Sequence, residues 1–108
     1  MKRPFWRPLT RHDVDAAAEW YASQGGVVLE LAFIEALEAA VDLIARHPSS
    51  GSTRHAALFP DLSTPVRFFP LKKFERYLSY YLELSERIEI VRVWDAARDA
   101  QNLPENAS

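Results

Sequence analysis

Ile88-Glu89-Ile90-Val91-Arg92-Val93-Trp94-Asp95-Ala96-Ala97-Arg98-Asp99 is the stretch on which the fold turns. From Ile88 to Asp95 it is rich in β-branched and aromatic residues, which suit a pleated, buried strand. Arg76 to Glu83 (Arg76-Tyr77-Leu78-Ser79-Tyr80-Tyr81-Leu82-Glu83) has the same character, and Leu84-Ser85-Glu86-Arg87 is the natural hairpin connection between the two. Val66 to Pro70 reads as a third strand, reached through Leu71-Lys72-Lys73-Phe74-Glu75. Pro70 has no N–H to give a ladder, so it belongs at a strand end.

The pattern changes upstream. Val27 to Arg46 places Phe33, Leu37, Ala40, Val41 and Ile44 on one helical face and Glu35, Glu38 and Asp42 on the other. His47-Pro48 ends that helix, because the residue before proline avoids the α region. An earlier helix carries Val14, Ala17, Ala18 and Tyr21 at helical spacing and stops at Ser23-Gln24-Gly25-Gly26. Thr10 and Asp13 have capping-box spacing at its start. So short a connection makes the helices an antiparallel hairpin. Phe5 to Leu9 reads as an N-terminal strand suited to a sheet edge, since Pro4 and Pro8 flank its core. Ala56 to Thr64 is poorly patterned and reads as irregular. The expected class is α+β: an N-terminal strand, then an antiparallel two-helix hairpin packed on a mainly antiparallel C-terminal sheet.

The 108 residues suit one domain, with 48% hydrophobic and 26% charged residues in ordinary globular proportion. The absence of cysteine excludes disulfides and thiolate metal sites and fits a cytoplasmic protein. The basic N-terminus lacks an apolar core, so no signal peptide is expected, and no run is long enough to span a membrane. The net charge of −2 conceals a segregation: seven acids and no Lys or Arg lie between Asp13 and Asp42, leaving all 13 basic residues elsewhere. Such asymmetry orients partners.

His12, His47 and His55 match no metal spacing, and no cofactor motif is present. Basic and aromatic residues interleave from Lys72 to Arg98. That arrangement suits phosphate contacts and base stacking, but the same aromatic residues are what a strand core wants.

The order of strand, helical hairpin ending in His47-Pro48, Gly51, Val66-Arg67, Tyr77-Leu78-Ser79-Tyr80-Tyr81 and the Ile88–Asp99 segment resembles the RelE/ParE toxin superfamily of type II toxin–antitoxin systems. The likeness covers nearly the whole chain, with residues 1–100 as one toxin domain and 101–108 as a loose tail. Arg92-Val93-Trp94, Ala96-Ala97 and Arg98-Asp99 keep the ending usual in that family, with Asp95 where histidine is common.

The resemblance implies one of two activities. RelE-like members cleave ribosome-bound mRNA without a metal. In such an RNase Arg67, Lys72, Lys73, Arg76 and Arg92 would stabilise charge, and Tyr81 would be the conceivable proton relay. ParE-like members instead block DNA gyrase by binding it. An aspartic acid with an ordinary pKa of roughly 3.9 is ionised at neutral pH and makes a poor general acid, which favours the ParE-like branch and no catalytic residues. The resemblance then assigns contacts with target or antitoxin to Arg67, Lys73, Arg76, Arg92, Trp94, Asp95 and Arg98, together with Trp20 and Tyr21. It implies a cognate antitoxin, DNA gyrase as target, and a homodimer or toxin–antitoxin hetero-oligomer, with no metal or cofactor. A non-toxic relative kept as an antitoxin-binding domain is the remaining alternative.

Overall fold

The computed structural model describes residues 1–98. The expected tail over 101–108 lies outside the described residues. Strand β1 is Arg3–Trp6, helix α1 is Pro8–Arg46, and strands β2, β3 and β4 are Arg67–Leu71, Phe74–Glu83 and Arg87–Asp95. They form one sheet of order β1-β4-β3-β2. β1 runs parallel to β4, while β2/β3 and β3/β4 are antiparallel.

The helical run is broken at Gly25 and Gly26, whose backbones leave helical geometry. Gly26 has φ 71° and ψ −166°, a conformation essentially confined to glycine. The chain doubles back there. Tyr21 and Phe33 would stand about 18 Å apart on an unbroken helix, yet their rings stack at 5.1 Å. Two limbs, residues 8–24 and 27–46, therefore form the expected hairpin.

The N-terminal boundaries differ from the sequence reading. β1 ends at Trp6 rather than Leu9, and Pro8 opens the helix, where its missing N–H costs nothing. The N-cap is Arg7, with no side-chain cap, so Thr10 and Asp13 do not form a capping box. Both reach across to β4 instead. β1 covers β4 only from Arg87 to Ile90. Beyond it, the Thr10 hydroxyl lies 2.7 and 2.8 Å from the carbonyl oxygens of Ile90 and Val91, and the Asp13 carboxylate accepts the Val93 N–H. The first turns of α1 thus occupy the edge that β1 leaves open.

Both sheet faces are buried. Ala17, Tyr21, Phe33, Leu37 and Ile44 of the hairpin pack on Leu71, Tyr81, Ile88, Ile90 and Val93. Full burial of side chains such as Phe33 and Ile44 stabilises by about 1.5–3 kcal/mol each. On the other face Phe59, from the segment that sequence patterning left irregular, and Val66, just before β2, cover Phe68, Leu78, Tyr80, Leu82, Val91 and Trp94. Ala56–Leu58 in that segment is a 3-10 turn. A bulge sets which face β4 presents. Tyr80 pairs with Arg92 and Tyr81 with Ile90, so Val91 is the extra residue. Ile88 and Ile90 therefore face the helices before the bulge and Val93 after it.

The β2–β3 turn is tighter than expected. Leu71 pairs with Phe74, and Lys73 takes φ 72°. Pro70 lies on the outer strand, beside the register shift.

Candidate functional site

A cleft opens between residues 8–24 of α1 and the end of β4. It measures about 490 Å3 and is lined by His12, Asp13, Trp20, Tyr77, Asp95 and Arg98, among others. Five residues singled out in the sequence meet at it or on its rim: Trp20, Arg76, Arg92, Asp95 and Arg98.

At the base, Asp13 accepts from Nε and Nη2 of Arg92 at 2.7 and 2.6 Å. Burial of a charge is tolerable only with such matched partners. At the rim, Arg76 donates from Nε and Nη2 to the two oxygens of Asp95 at 3.2 and 2.6 Å. The Ala97 N–H reaches the same carboxylate at 2.9 Å. Partial burial pushes the Asp95 carboxyl upward, but the Arg76 and Ala97 hydrogen bonds and the charges of Arg76 and Arg98 outweigh it. The net result is a pKa below the ordinary carboxylate value. Asp95 is therefore an anion at neutral pH.

Aromatic rings frame these charges. Trp20 is 47% exposed yet held edge-on against Tyr21 at 5.0 Å, with the Arg76 guanidinium 5.9 Å from its ring. Tyr21 itself is buried in the core. Trp94 is buried on the opposite sheet face, with the guanidiniums of Arg92 and Arg98 at 4.5 and 4.4 Å from its ring. The site thus joins the first half of α1 to β3 and β4 through ion pairs and aromatic contacts.

A family model described as "ParE toxin of type II toxin-antitoxin system, parDE" matches residues 5–100. The chain belongs to the ParE toxin family. Among solved structures, this ParE-family chain is similar to one described as "Chromosomal ParDE TA system from P. aeruginosa", with 19% identity and a TM-score of 0.67. The match covers 86% of this chain and 94% of that one, and at such identity it speaks for the fold alone. No curated sequence matches the chain.

Other residues singled out in the sequence lie elsewhere in this ParE-family fold. Tyr81 is fully buried on the helix face; its hydroxyl donates to the Pro48 carbonyl at 2.6 Å and accepts the Gly51 N–H at 2.9 Å. Burial raises its phenol pKa despite that N–H and the nearby Arg67 charge. Arg67 donates to the carbonyls of Ser49 and Gly51 at 3.2 and 2.8 Å, so it grips the same loop. Lys72 and Lys73 are exposed in the β2–β3 turn. The basic residues from Arg67 to Arg92 are thus distributed over a loop clasp, a turn and two ion pairs.

Two members of the cleft escape sequence reasoning: Asp13 has the spacing of a helix cap, and His12 matches no metal spacing. The helical spacing of Leu9, His12, Asp13, Ala16 and Trp20 was the available signal, because these positions share one side of α1. Among the described residues no group of three or more His, Asp or Glu side chains is arranged to hold a metal. No helix among them is long and apolar enough to cross a membrane.

Proposed function

We propose that this ParE-family chain is the toxin of a two-protein pair, held inactive by a cognate antitoxin, and that the released toxin arrests growth by binding DNA gyrase. The gyrase target is carried over from the resemblance to ParE-like toxins. The observation that supports binding over RNA cleavage is the state of Asp95. A carboxylate clamped by Arg76, with its pKa lowered, has no proton to donate at neutral pH. Neighbouring groups point the same way: Arg92 is engaged by Asp13, and the Tyr81 hydroxyl by Pro48 and Gly51. A gyrase target implies a cytoplasmic protein, stored with its antitoxin as a hetero-oligomer or alone as a homodimer.

Expression of the chain alone in a bacterial host tests this, with plasmid supercoiling and mRNA integrity read from one culture. Growth arrest with relaxed or cleaved DNA and intact mRNA is the expected outcome. Arrest with mRNA cut at codon-phased positions would replace gyrase binding with ribosome-dependent cleavage. Undisturbed growth would leave an antitoxin-binding relative without toxicity.

A further inference from the structure

We infer that the cleft between α1 and the end of β4 receives a short acidic protein segment, its apolar side chain against Trp20 and its carboxylates against Arg76 and Arg98. The inference goes beyond the proposed function and does not depend on gyrase being the target.

The charges inside the cleft are divided unequally between partners. Both carboxylates are engaged internally: Asp13 by Arg92 and the Val93 N–H, Asp95 by Arg76 and the Ala97 N–H. The cations are not consumed to the same degree. Arg76 uses Nε and Nη2 for Asp95 and is 51% exposed, so its remaining N–H groups are without a partner among the described residues. Arg98 is exposed and forms no ion pair among them, while its guanidinium lies over the Trp94 ring at 4.4 Å. Lys72 and Lys73 lie in the turn that leads into the same strand as Arg76. A ligand therefore meets spare N–H donors on Arg76 and the cation of Arg98, while both acids already have arginine partners.

Trp20 supplies the apolar half. A half-exposed indole pinned by Tyr21 and Arg76 loses little freedom on binding, and Trp, Tyr and Arg are the residues that dominate interface energetics. The open cleft, at about 490 Å3, falls in the range of roughly 300–1,000 Å3 typical of ligand-binding clefts and cavities. That is room for a few side chains. The hairpin excludes a long polyanion: Glu19 adjoins Trp20, and residues 13–42 carry seven acids with no Lys or Arg. A nucleic-acid strand with its closely spaced phosphates would run onto that acidic surface. A short acidic peptide would not.

The test uses the full chain, labelled with nitrogen-15, and three probes: the blocked peptide Glu-Phe-Asp-Leu-Glu, its Gln/Asn counterpart, and an oligothymidylate. The acidic peptide should shift the Trp20 indole N–H resonance while leaving that of Trp6 in place. Its affinity should fall about tenfold between roughly 0.05 and 0.5 M salt, and by a similar factor in Arg98→Glu. Arg98 is exposed, so that variant should keep the dispersed spectrum of the native fold; Trp20→Ala provides a second variant. Equal binding of the neutral peptide would overturn the inference. So would undiminished affinity in both variants, preference for the oligonucleotide, or no change at Trp20 with the acidic peptide.

Discussion

The Asp13 carboxylate and the Arg92 guanidinium meet through two hydrogen bonds of 2.6 and 2.7 Å across 79 positions of sequence, with side chains only 9% and 4% exposed. Removing one member strands the other charge in a shielded place. Asp13→Ala should therefore lower unfolding free energy by about 3–5 kcal/mol, measured by urea denaturation. Replacing both, as Asp13→Leu with Arg92→Met, should recover most of that loss. If the double variant is as unstable as the single, the cost lies in the lost cap on the Val93 N–H rather than in the unpaired charge.

Tyr81 and Gly51 make a second cross-link, between the sheet and the loop after α1. A methyl group on Gly51 would stand 2.7 Å from ring atom Cε1 of Tyr81, closer than carbon atoms pack. Gly51→Ala should destabilise by about 1–3 kcal/mol through overpacking. Tyr81→Phe should cost a comparable amount, about 1–3 kcal/mol, by orphaning the Gly51 N–H. Thermal unfolding measures both. Under the proposed binding mechanism, Tyr81→Phe should still arrest growth wherever the protein remains folded.

The hairpin depends on Gly26. At φ 71° and ψ −166° a β-carbon is strained whatever the surrounding space, although the space itself is open. Gly26→Ala should cost about 1–3 kcal/mol in equilibrium denaturation. An unchanged midpoint would mean that the limbs are held by their seam alone.

Stability should fall on mild acidification, with His55 as the cause. Its Nδ1 lies 2.9 Å from the Tyr80 hydroxyl, and its ring stacks on Phe68 at 4.1 Å. Burial and then the Arg54 charge lower its pKa below the usual 6.5. Burial pushes the Tyr80 phenol up to about 12, so it stays protonated beside the neutral imidazole. The unfolded chain takes up a proton near 6.5 and the folded chain only at lower pH, so the unfolded state gains as pH drops from 6.5 towards the folded value. His55→Gln should flatten that part of the stability profile. Asp95 and Glu89, both lowered, act in a separate and more acidic window, where stability is lost as pH falls through their depressed values.

Much of the architecture was legible because it is written locally. The β-branched run of β4, the apolar face around Phe33 and Leu37, and the Gly25-Gly26 stop each declare their element within a few residues. Thr10 and Asp13 were misread for an equally local reason: a capping box and a pair of side chains reaching for an open sheet edge share the same spacing. Only the shortness of β1 decides between them, and β4 lies some 80 residues away. Half of the cover over Trp94 was invisible because Phe59 comes from a segment without periodicity. At the cleft, Trp20, Arg76, Asp95 and Arg98 were nameable from the family pattern, but Arg67 carried no sign that it would hold loop carbonyls instead.

The parallel pairing of β1 with β4 also sets a clock on biosynthesis. At about 5–20 residues per second, β1 emerges roughly 4–16 s before the strand that completes it. Until Arg87 to Val93 leave the ribosome, Asp13 has no arginine to hold and the cleft has no floor. A chain interrupted before that point lacks the strand on which Thr10, Asp13 and the apolar face of the hairpin come to rest.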